Sequence, residues 1–497
     1  MIAKVLMVQG SSSSAGKSLL VTALCRIYAR SGVRVAPFKG QNMSNNAAVC
    51  LDGGEIGRAQ ALQAAACGLS PSVDMNPVLI KPEADSRSQI ILMGRPWQTL
   101  EARNYYENKA VLWEHVTAAL DRLRAAYDLV IIEGAGSPAE INLRAGDIVN
   151  MAVAQYAHAP VLLIGDIDRG GIFAQLLGTL WLLEPDERAW VRGFVVNKFR
   201  GDLSLFEEGV RILEQKGEIP VLGVIPYLKG LSLPDEDAVS VETASRAAEP
   251  ASALQIDIAV LALPRIANFD DLDPLRAEPG VHLRHIESVE QLRKPHAIII
   301  PGTKSTMADL EWLRKTGLAQ AVIDFVNDGG ALVGVCGGYQ MLGQTLHDPL
   351  HVESRSDRMD GLGLLPIVTT FAQKKSTHQV RAKILNFASL AGEIIEGYEI
   401  HMGGTSGQTP WLEILSRNGE EVSVPDGSVS PNGRVWGCYL HGLFHNDSLR
   451  YAWLQSLGWQ GRPVSHSARF EESLENLADA VENSLDMKKL EKIIWES

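Results

Sequence analysis

The stretch Gly10-Ser-Ser-Ser-Ser-Ala-Gly16-Lys17-Ser18 decides how the first half of the chain folds. It follows an apolar run, Val5-Leu-Met-Val8, that reads as a buried strand, and it opens a helical pattern at Leu19. A glycine- and serine-rich turn in that position is a phosphate loop. Its backbone N–H groups and the helix N-terminus cradle phosphates, Lys17 reaches the β- and γ-phosphates, and the Ser18 hydroxyl ligates magnesium. Gly16, Lys17 and Ser18 are therefore expected to bind ATP, and the spacing is one residue longer than usual. The alternative is a plain serine-rich turn.

Outward from this loop, short β-branched runs alternate with helical stretches: Val33 to Phe38, Leu129 to Ile132, Val161 to Ile164 and Phe194 to Val196. Continuous apolar strands between helices predict a parallel sheet covered on both faces, an α/β fold. From Val241 the composition turns to Glu-Thr-Ala-Ser-Arg-Ala-Ala-Glu-Pro, which has no apolar periodicity and reads as a linker. A second strand-and-helix pattern begins at Ile256 and continues through Ala297 to Ile300 and Ala331 to Val335. The expected organisation is a phosphate-loop domain over 1–240, a linker over 241–254, a second α/β domain over 255–450 and a helical tail over 451–497. In that tail Phe470, Leu474, Leu477, Val481 and Leu485 recur at helical spacing, which predicts packing.

Composition narrows the partners. A length of 497 residues exceeds what one core usually organises, and 46 Lys plus Arg against 59 Asp plus Glu argues against nucleic acid or an anionic membrane surface. Small molecules become the default ligands. The five cysteines are scattered without a C-x-x-C pair, which predicts neither disulfide framework nor zinc site and fits a reducing cytosol. No apolar run is long enough for a membrane span, and the N-terminus runs straight into the phosphate loop without a cleavage signal.

Further candidates surround the loop. Glu133 ends the run Leu129–Ile132 at the carboxyl end of a strand, where an open parallel sheet places its chemistry, and is expected to bind magnesium; the alternative is a solvated turn residue. Glu55 and Asp52 are weaker metal candidates. Lys39 can hold the transferring phosphoryl group or a substrate carboxylate, or be a solvated lysine. Asn197, at the end of Phe194–Val196, can read the adenine edge. Asp147 either binds magnesium or orients substrate near the phosphoryl site, or caps a helix beginning at Ile148.

The second half holds a different chemistry. Ala331-Leu-Val-Gly-Val335 leads into Cys336-Gly-Gly338, a strand, a tight turn and a helix that together raise a nucleophile on an elbow, with the Gly337 N–H available to an oxyanion. A buried structural cysteine is the alternative. His441 is the natural base, and Pro301-Gly302-Thr303 offers the other oxyanion donor through Gly302.

Cys336-Gly-Gly-Tyr-Gln340 with His441 downstream resembles the class I glutamine amidotransferases, in which a cysteine attacks the glutamine amide and releases ammonia. That resemblance implies a glutamine-holding role for Gln340. The phosphate loop resembles that of dethiobiotin synthetase and its relatives, which implies a phosphate role for Lys39, magnesium at Glu133 and adenine recognition by Asn197. Joined, the two halves resemble the cobyrinic acid a,c-diamide synthase and cobyric acid synthase group. Lys39-Gly-Gln-Asn-Met-Ser44, Glu55-Ile-Gly-Arg-Ala-Gln-Ala-Leu-Gln63, Met75-Asn-Pro-Val-Leu-Ile-Lys81, Asp166-Ile-Asp-Arg-Gly-Gly171, Asn197-Lys-Phe-Arg-Gly-Asp202 and Gly397-Tyr-Glu-Ile-His-Met402 are similar to the cobyric acid synthase branch. The resemblance implies ATP-dependent amidation of the b, d, e and g carboxylates of adenosylcobyrinic acid a,c-diamide, a corrinoid, with glutamine as nitrogen source. One departure stands out: amidotransferases generally pair the histidine with a glutamate two residues on, and here that residue is Leu443, as is typical of the corrinoid branch. Glu399-Ile-His401-Met-Gly-Gly404 approaches a corrinoid-binding pattern, but an isolated strand histidine is more often structural. Rival readings are the a,c-diamide synthase and a switch ATPase with an amidotransferase-like tail; Ser12 stands where switch ATPases carry an extra lysine.

Overall fold

A computed structural model describes residues 2–84, 87–101, 108–228, 230, 231, 233, 234, 256–387 and 390–496. The linker expected over 241–254 and the boundary at 240 lie outside the described residues. The chain forms two compact units, one of Met1–Ser44, Glu55–Glu236 and Phe470–Ser497, the other of Asn45–Gly54 and Asp237–Arg469. This division differs from the expected one in two places: ten residues of the first half join the second unit, and most of the tail joins the first.

The main sheet of the first unit contains β1 (Lys4–Gly10), β2 (Val35–Phe38), β3 (Leu129–Glu133), β4 (Val161–Asp166), β5 (Val191–Phe199) and β6 (Val221–Pro226). All six are parallel, in the order β6-β5-β4-β1-β3-β2. The apolar runs have two-sided burial: Val5, Met7, Val130 and Ile132 enter one core, while Leu6, Val8, Leu129 and Ile131 enter the other. Helix α1 (Lys17–Arg30) covers the second of these faces through Leu20, Leu24 and Ile27. The tail's apolar stripe, Leu474, Leu477, Val481 and Leu485, belongs to the same core. Arg26 pairs with Glu471 and Glu475, and Arg30 with Glu475, Asp479 and Glu482, so exposed charges flank that stripe. Because β3 and β4 lie on opposite sides of β1, a crevice opens at the carboxyl end of β1, the position where such sheets bind ligands. Helix α2 (Arg58–Ala66) and helix α3 (Met151–Ala157) complete the elements that reach this edge.

The second unit is built on β7 (Ile256–Leu261), β8 (Val281–Ile286), β9 (Ala297–Ile300), β10 (Ala331–Val335), β11 (Ser428–Val429) and β12 (Val435–Cys438), numbering the strands of the two main sheets in chain order. Their order is β8-β7-β9-β10-β12-β11, parallel except for the β11–β12 pair. Ile258, Val260, Ile299 and Val333 face one core and Ala259, Ile298 and Leu332 the other. The same unit carries a mixed, mostly antiparallel sheet absent from the sequence expectation, with long strands Val368–Ile384 and Ile394–Ser406. Helix α4 (Gly337–Met341) follows β10 directly.

Candidate active sites

The phosphate loop runs from the end of β1 to α1. Gly16 precedes the helix at φ 100°, a left-handed conformation that favours glycine, and a Cβ there would lie 2.0 Å from Asn197 Nδ2. Asn197 donates that amide to Ala15 O at 2.9 Å, and Lys198 donates to Ser14 O at 2.9 Å and to Asp166 at 2.8 Å. Asn197 thus braces the loop from the neighbouring strand. Lys17 is buried and donates to Ser12 O at 3.0 Å and Gly136 O at 3.1 Å, which folds its ammonium back over the loop.

The register aligns Val8 with Glu133, so this carboxylate stands beside the start of the loop. Its Oε1 accepts from Ser18 Oγ at 2.9 Å and from Lys39 Nζ at 2.8 Å, and its Oε2 accepts from Gln63 Nε2 on α2 at 2.5 Å. Glu133 and Lys39 are both buried. Four side chains from four segments thus meet at one point, three of them expected and Gln63 not. Magnesium takes oxygen ligands and usually keeps waters or phosphate oxygens besides one or two protein groups. The adjacent Ser18 hydroxyl and Glu133 carboxylate fit that donor set, and no cluster of three or more His, Cys, Asp or Glu capable of holding a metal occurs among the described residues.

Three expectations change here. Glu55 is buried and ion-paired with Lys81 at 2.6 Å, as Glu133 is with Lys39; what favours Glu133 as the metal ligand is the Ser18 hydroxyl at the end of the phosphate loop, which bonds to it. Asp52 accepts from Gly54 N at 2.9 Å and closes a turn. Asp147 does not have an open carboxylate: Oδ1 accepts from Val149 N and Asn150 N at 2.9 Å each, and Oδ2 from Ala152 N at 3.0 Å. It braces the turn that leads into α3 and reaches one N–H of its first turn; the role is structural, but the N-cap is Asn150 and the helix begins at Met151, not at Ile148.

In the second unit, Cys336 sits between β10 and α4 with φ 51° and ψ −107°, a strained conformation for a residue with a Cβ and the one an elbow requires. Space around the elbow is closed to larger residues, since a Cβ on Gly338 would lie 2.0 Å from Ile300 O. The backbone N–H of Cys336 donates to Cys438 O at 2.9 Å, which ties the elbow to β12, and His441 follows three residues after that strand. His441 hydrogen-bonds with Asp271 and lies beside Cys336, whose thiol donates to Ile400 O at 3.5 Å. Its Nδ1 lies 2.6 Å from Asp271 Oδ2, while Asp271 Oδ1 accepts from Gly442 N at 2.8 Å. The ring of Tyr398 stacks on the imidazole at 5.2 Å. Burial alone pulls the imidazole pKa down, but the charges of Asp271 and Cys336 outweigh it and raise it to about 10.

Gly302 lies against the imidazole, where a Cβ would come within 2.8 Å of His441 Cε1, and Gly337 lies against Thr303. The expected oxyanion donors therefore flank the Cys336–His441 pair. Gln340 sits one turn after Cys336, its backbone N–H bonded to Cys336 O at 3.0 Å. Its side-chain amide is held by Thr306, Met402 O and Tyr439. His401 is packed as a structural residue, stacked on Tyr439 at 3.8 Å and within 3.5 Å of Glu399. Burial pushes Glu399 up, yet its bonds from His401 and Arg417 hold its carboxyl below the usual value. No signal in the sequence singled out Asp271, and Gln63 closes the family-like stretch Glu55–Gln63 without a role of its own being legible there. Both act at long separation.

Residues 6–241 match the model of the CobQ/CobB/MinD/ParA nucleotide binding domain, and residues 257–449 that of the CobB/CobQ-like glutamine amidotransferase domain. The cobyric acid synthase of Chloroflexus aggregans is 54% identical over 497 aligned residues, covering 99% of each chain. That of Herpetosiphon aurantiacus is 53% identical and that of Sorangium cellulosum 51%, each again over 99% of both chains. No helix among the described residues is long and apolar enough to cross a membrane.

Proposed function

The chain belongs to the cobyric acid synthase family, and on that premise we propose that it amidates the b, d, e and g carboxylates of adenosylcobyrinic acid a,c-diamide to give adenosylcobyric acid, with ATP and glutamine as co-substrates, in the cytosol. A carboxylate is a poor electrophile, so the reaction divides in two. One site transfers the γ-phosphoryl group of ATP to the carboxylate, forming an acyl phosphate and ADP. The other site supplies ammonia, which attacks the acyl carbon and expels phosphate.

In the first unit the loop N–H groups and the ammonium of Lys17 neutralise the phosphates of ATP. Asn197 and Lys198 keep the loop in shape through Ala15 O and Ser14 O. Ser18 and Glu133 would hold magnesium, which neutralises phosphate charge when bound. Lys39, buried beside Glu133, presents a cation where negative charge is drawn together by phosphoryl transfer.

In the second unit His441 holds, as imidazolium, the proton given up by the Cys336 thiol, and the thiolate attacks the side-chain amide carbon of glutamine. Gly302 and Gly337 offer backbone N–H groups to the oxyanion. Collapse of that intermediate breaks the C–N bond as the imidazolium returns a proton to the departing ammonia. Water then hydrolyses the thioester to glutamate. Gln340 supports the glutamine pocket from the turn behind the elbow.

The observation that carries this reading is the strained Cys336 elbow beside a buried histidine in one unit, with a phosphate loop facing a buried carboxylate in the other. Incubation with ATP, glutamine and the a,c-diamide, followed by mass spectrometry, tests it. Addition of four amides is expected. No amide added to the a,c-diamide, with amidation at a and c in a parallel incubation with cobyrinic acid, would transfer the chain to the a,c-diamide synthases, and ATP hydrolysis with no amidation of either would favour a switch ATPase.

A further inference from the structure

The corrinoid-branch departure at Leu443 leaves open what orients His441, and the second unit answers it from an unexpected part of the chain. Leu443 is itself buried. Asp271 lies 170 residues before His441, in the 3-10 turn Phe269–Leu272, and is buried together with it. Its two oxygens are divided between consecutive residues: Oδ2 meets His441 Nδ1 at 2.6 Å and Oδ1 accepts the Gly442 N–H at 2.8 Å. We infer that Asp271 is the positioning residue of the glutamine-hydrolysing pair, fixing the orientation and tautomer of His441 toward Cys336.

The chemistry follows from what each atom can do. A carboxylate only accepts, so Nδ1 of His441 carries the hydrogen in that contact. Nε2 is then the nitrogen left for Cys336, which lies close enough for its charge to act on the ring. In the other tautomer Nδ1 would face the carboxylate as a second acceptor, which is repulsive. The bond to Gly442 N adds a second restraint, holding the backbone on which the imidazole is mounted. A carboxylate in this place also stabilises the imidazolium that forms when the thiol gives up its proton. The turn bearing it is anchored independently: Asn268 Oδ1 accepts from Ala47 N at 3.0 Å, and Asn46 Oδ1 accepts from Phe269 N at 3.3 Å. A freely exposed aspartate would have neither the burial nor the two-point grip.

The inference rests on the reading of Cys336 and His441 as the glutaminase pair, and the test separates the two. In the full chain, Asp271→Asn keeps the side chain's shape but removes the charge and one of two acceptors. Glutamine hydrolysis should fall roughly 100-fold or more in kcat, with KM for glutamine changed less than about threefold, while amidation with added ammonia persists. The titratable groups facing the imidazole are Asp271, Cys336 and Tyr398, with Cys438 close by on β12. The alkaline limb of the glutaminase pH profile should move to lower pH in Asp271→Asn, which a packing role alone would not cause. Unchanged kcat and an unchanged limb would overturn the assignment. Should Asp271→Asn lose both activities by misfolding, the wild-type limb decides, because a limb at the ordinary imidazole value of about 6.5 would also overturn it. Glutamine hydrolysis surviving in Cys336→Ser would instead sink the underlying pair.

Discussion

Ser18 donates its hydroxyl to Glu133 at 2.9 Å across 115 residues of sequence, joining the end of the phosphate loop to the strand beside it. Lys39 donates to the same oxygen at 2.8 Å. Both the Glu133 carboxylate and the Lys39 ammonium are out of water, so each depends on the other for charge balance.

Glu133→Gln therefore has two separable effects. Ammonia-dependent synthesis should fall by roughly two orders of magnitude as the metal-binding charge is lost, and stability should drop by about 3 kcal/mol because Lys39 loses its buried carboxylate partner. Adding Lys39→Met should restore much of the stability and none of the synthesis. Urea melts and single-turnover assays on the four members of this cycle measure both. Recovery of synthesis in the double variant would contradict the metal-site reading.

Lys17→Ala should abolish synthesis with either glutamine or ammonia, since the charge developing on the transferred phosphoryl group loses its cation. Glutamine hydrolysis belongs to the other unit and should remain measurable. Nucleotide binding by calorimetry and the two activity assays check this.

Cys336→Ser should show the opposite pattern: no glutamine-dependent amidation, with ammonia-dependent amidation intact, because only ammonia release needs the thiolate. Equal loss with both donors in a folded variant would remove Cys336 from the chemistry.

The sequence exposed the parts of these sites that are local. β1, β3 and β4 are continuous apolar runs because both faces are covered, and the elbow announces itself by glycines around one cysteine. Contacts made across long separations left no such trace. Asp271 sits in Asn268-Phe-Asp-Asp-Leu272, one of several acidic turns, and only folding brings it to His441. Gln63 is a neutral residue on a helix of low amphipathicity, and its partner Glu133 is 70 residues away. The strand Val368–Ile384 escaped notice because Lys374-Lys-Ser-Thr-His378 interrupts its alternation. The tail's periodicity showed that it packs, but the stripe carries no mark of which core receives it. Strand β2 begins at Val35 instead of Val33, because Val33 N still bonds back to Tyr28 O at the end of α1.

His441 gives a pH dependence of stability with a definite sign. Burial opposes its charge, but Asp271 and Cys336 prevail and lift it from 6.5 to about 10 on folding. A histidine raised in the folded state contributes stability that is complete below its unfolded pKa and disappears as pH climbs through the folded one. The stability gap between wild type and His441→Ala should therefore be largest near pH 6 and narrow between 6.5 and about 10. Urea melts across that range test it; a gap that widened with pH would mean the imidazole is held neutral.

Asp147 supplies the last test, because its surroundings decide between the two roles open to it. An aspartate that orients substrate needs an oxygen directed at the site, whereas here both oxygens accept backbone N–H groups of Val149, Asn150 and Ala152. Those donors would otherwise be unsatisfied in the turn that leads into α3 and in its first turn, and the side chain of Asn150, the residue before that helix, is committed elsewhere, bonding Ala135 O at 2.8 Å. Asp147→Ala should cost about 1–2 kcal/mol in stability and Asp147→Asn clearly less, since asparagine keeps one acceptor oxygen. Neither should change the rate of ammonia-dependent synthesis or the order in which partly amidated intermediates arise, as long as the assay runs well below the melting temperature. Chromatography of a time course, set beside thermal melts, reads both quantities. A changed order of intermediates in Asp147→Asn with unaltered stability would return the residue to the substrate site.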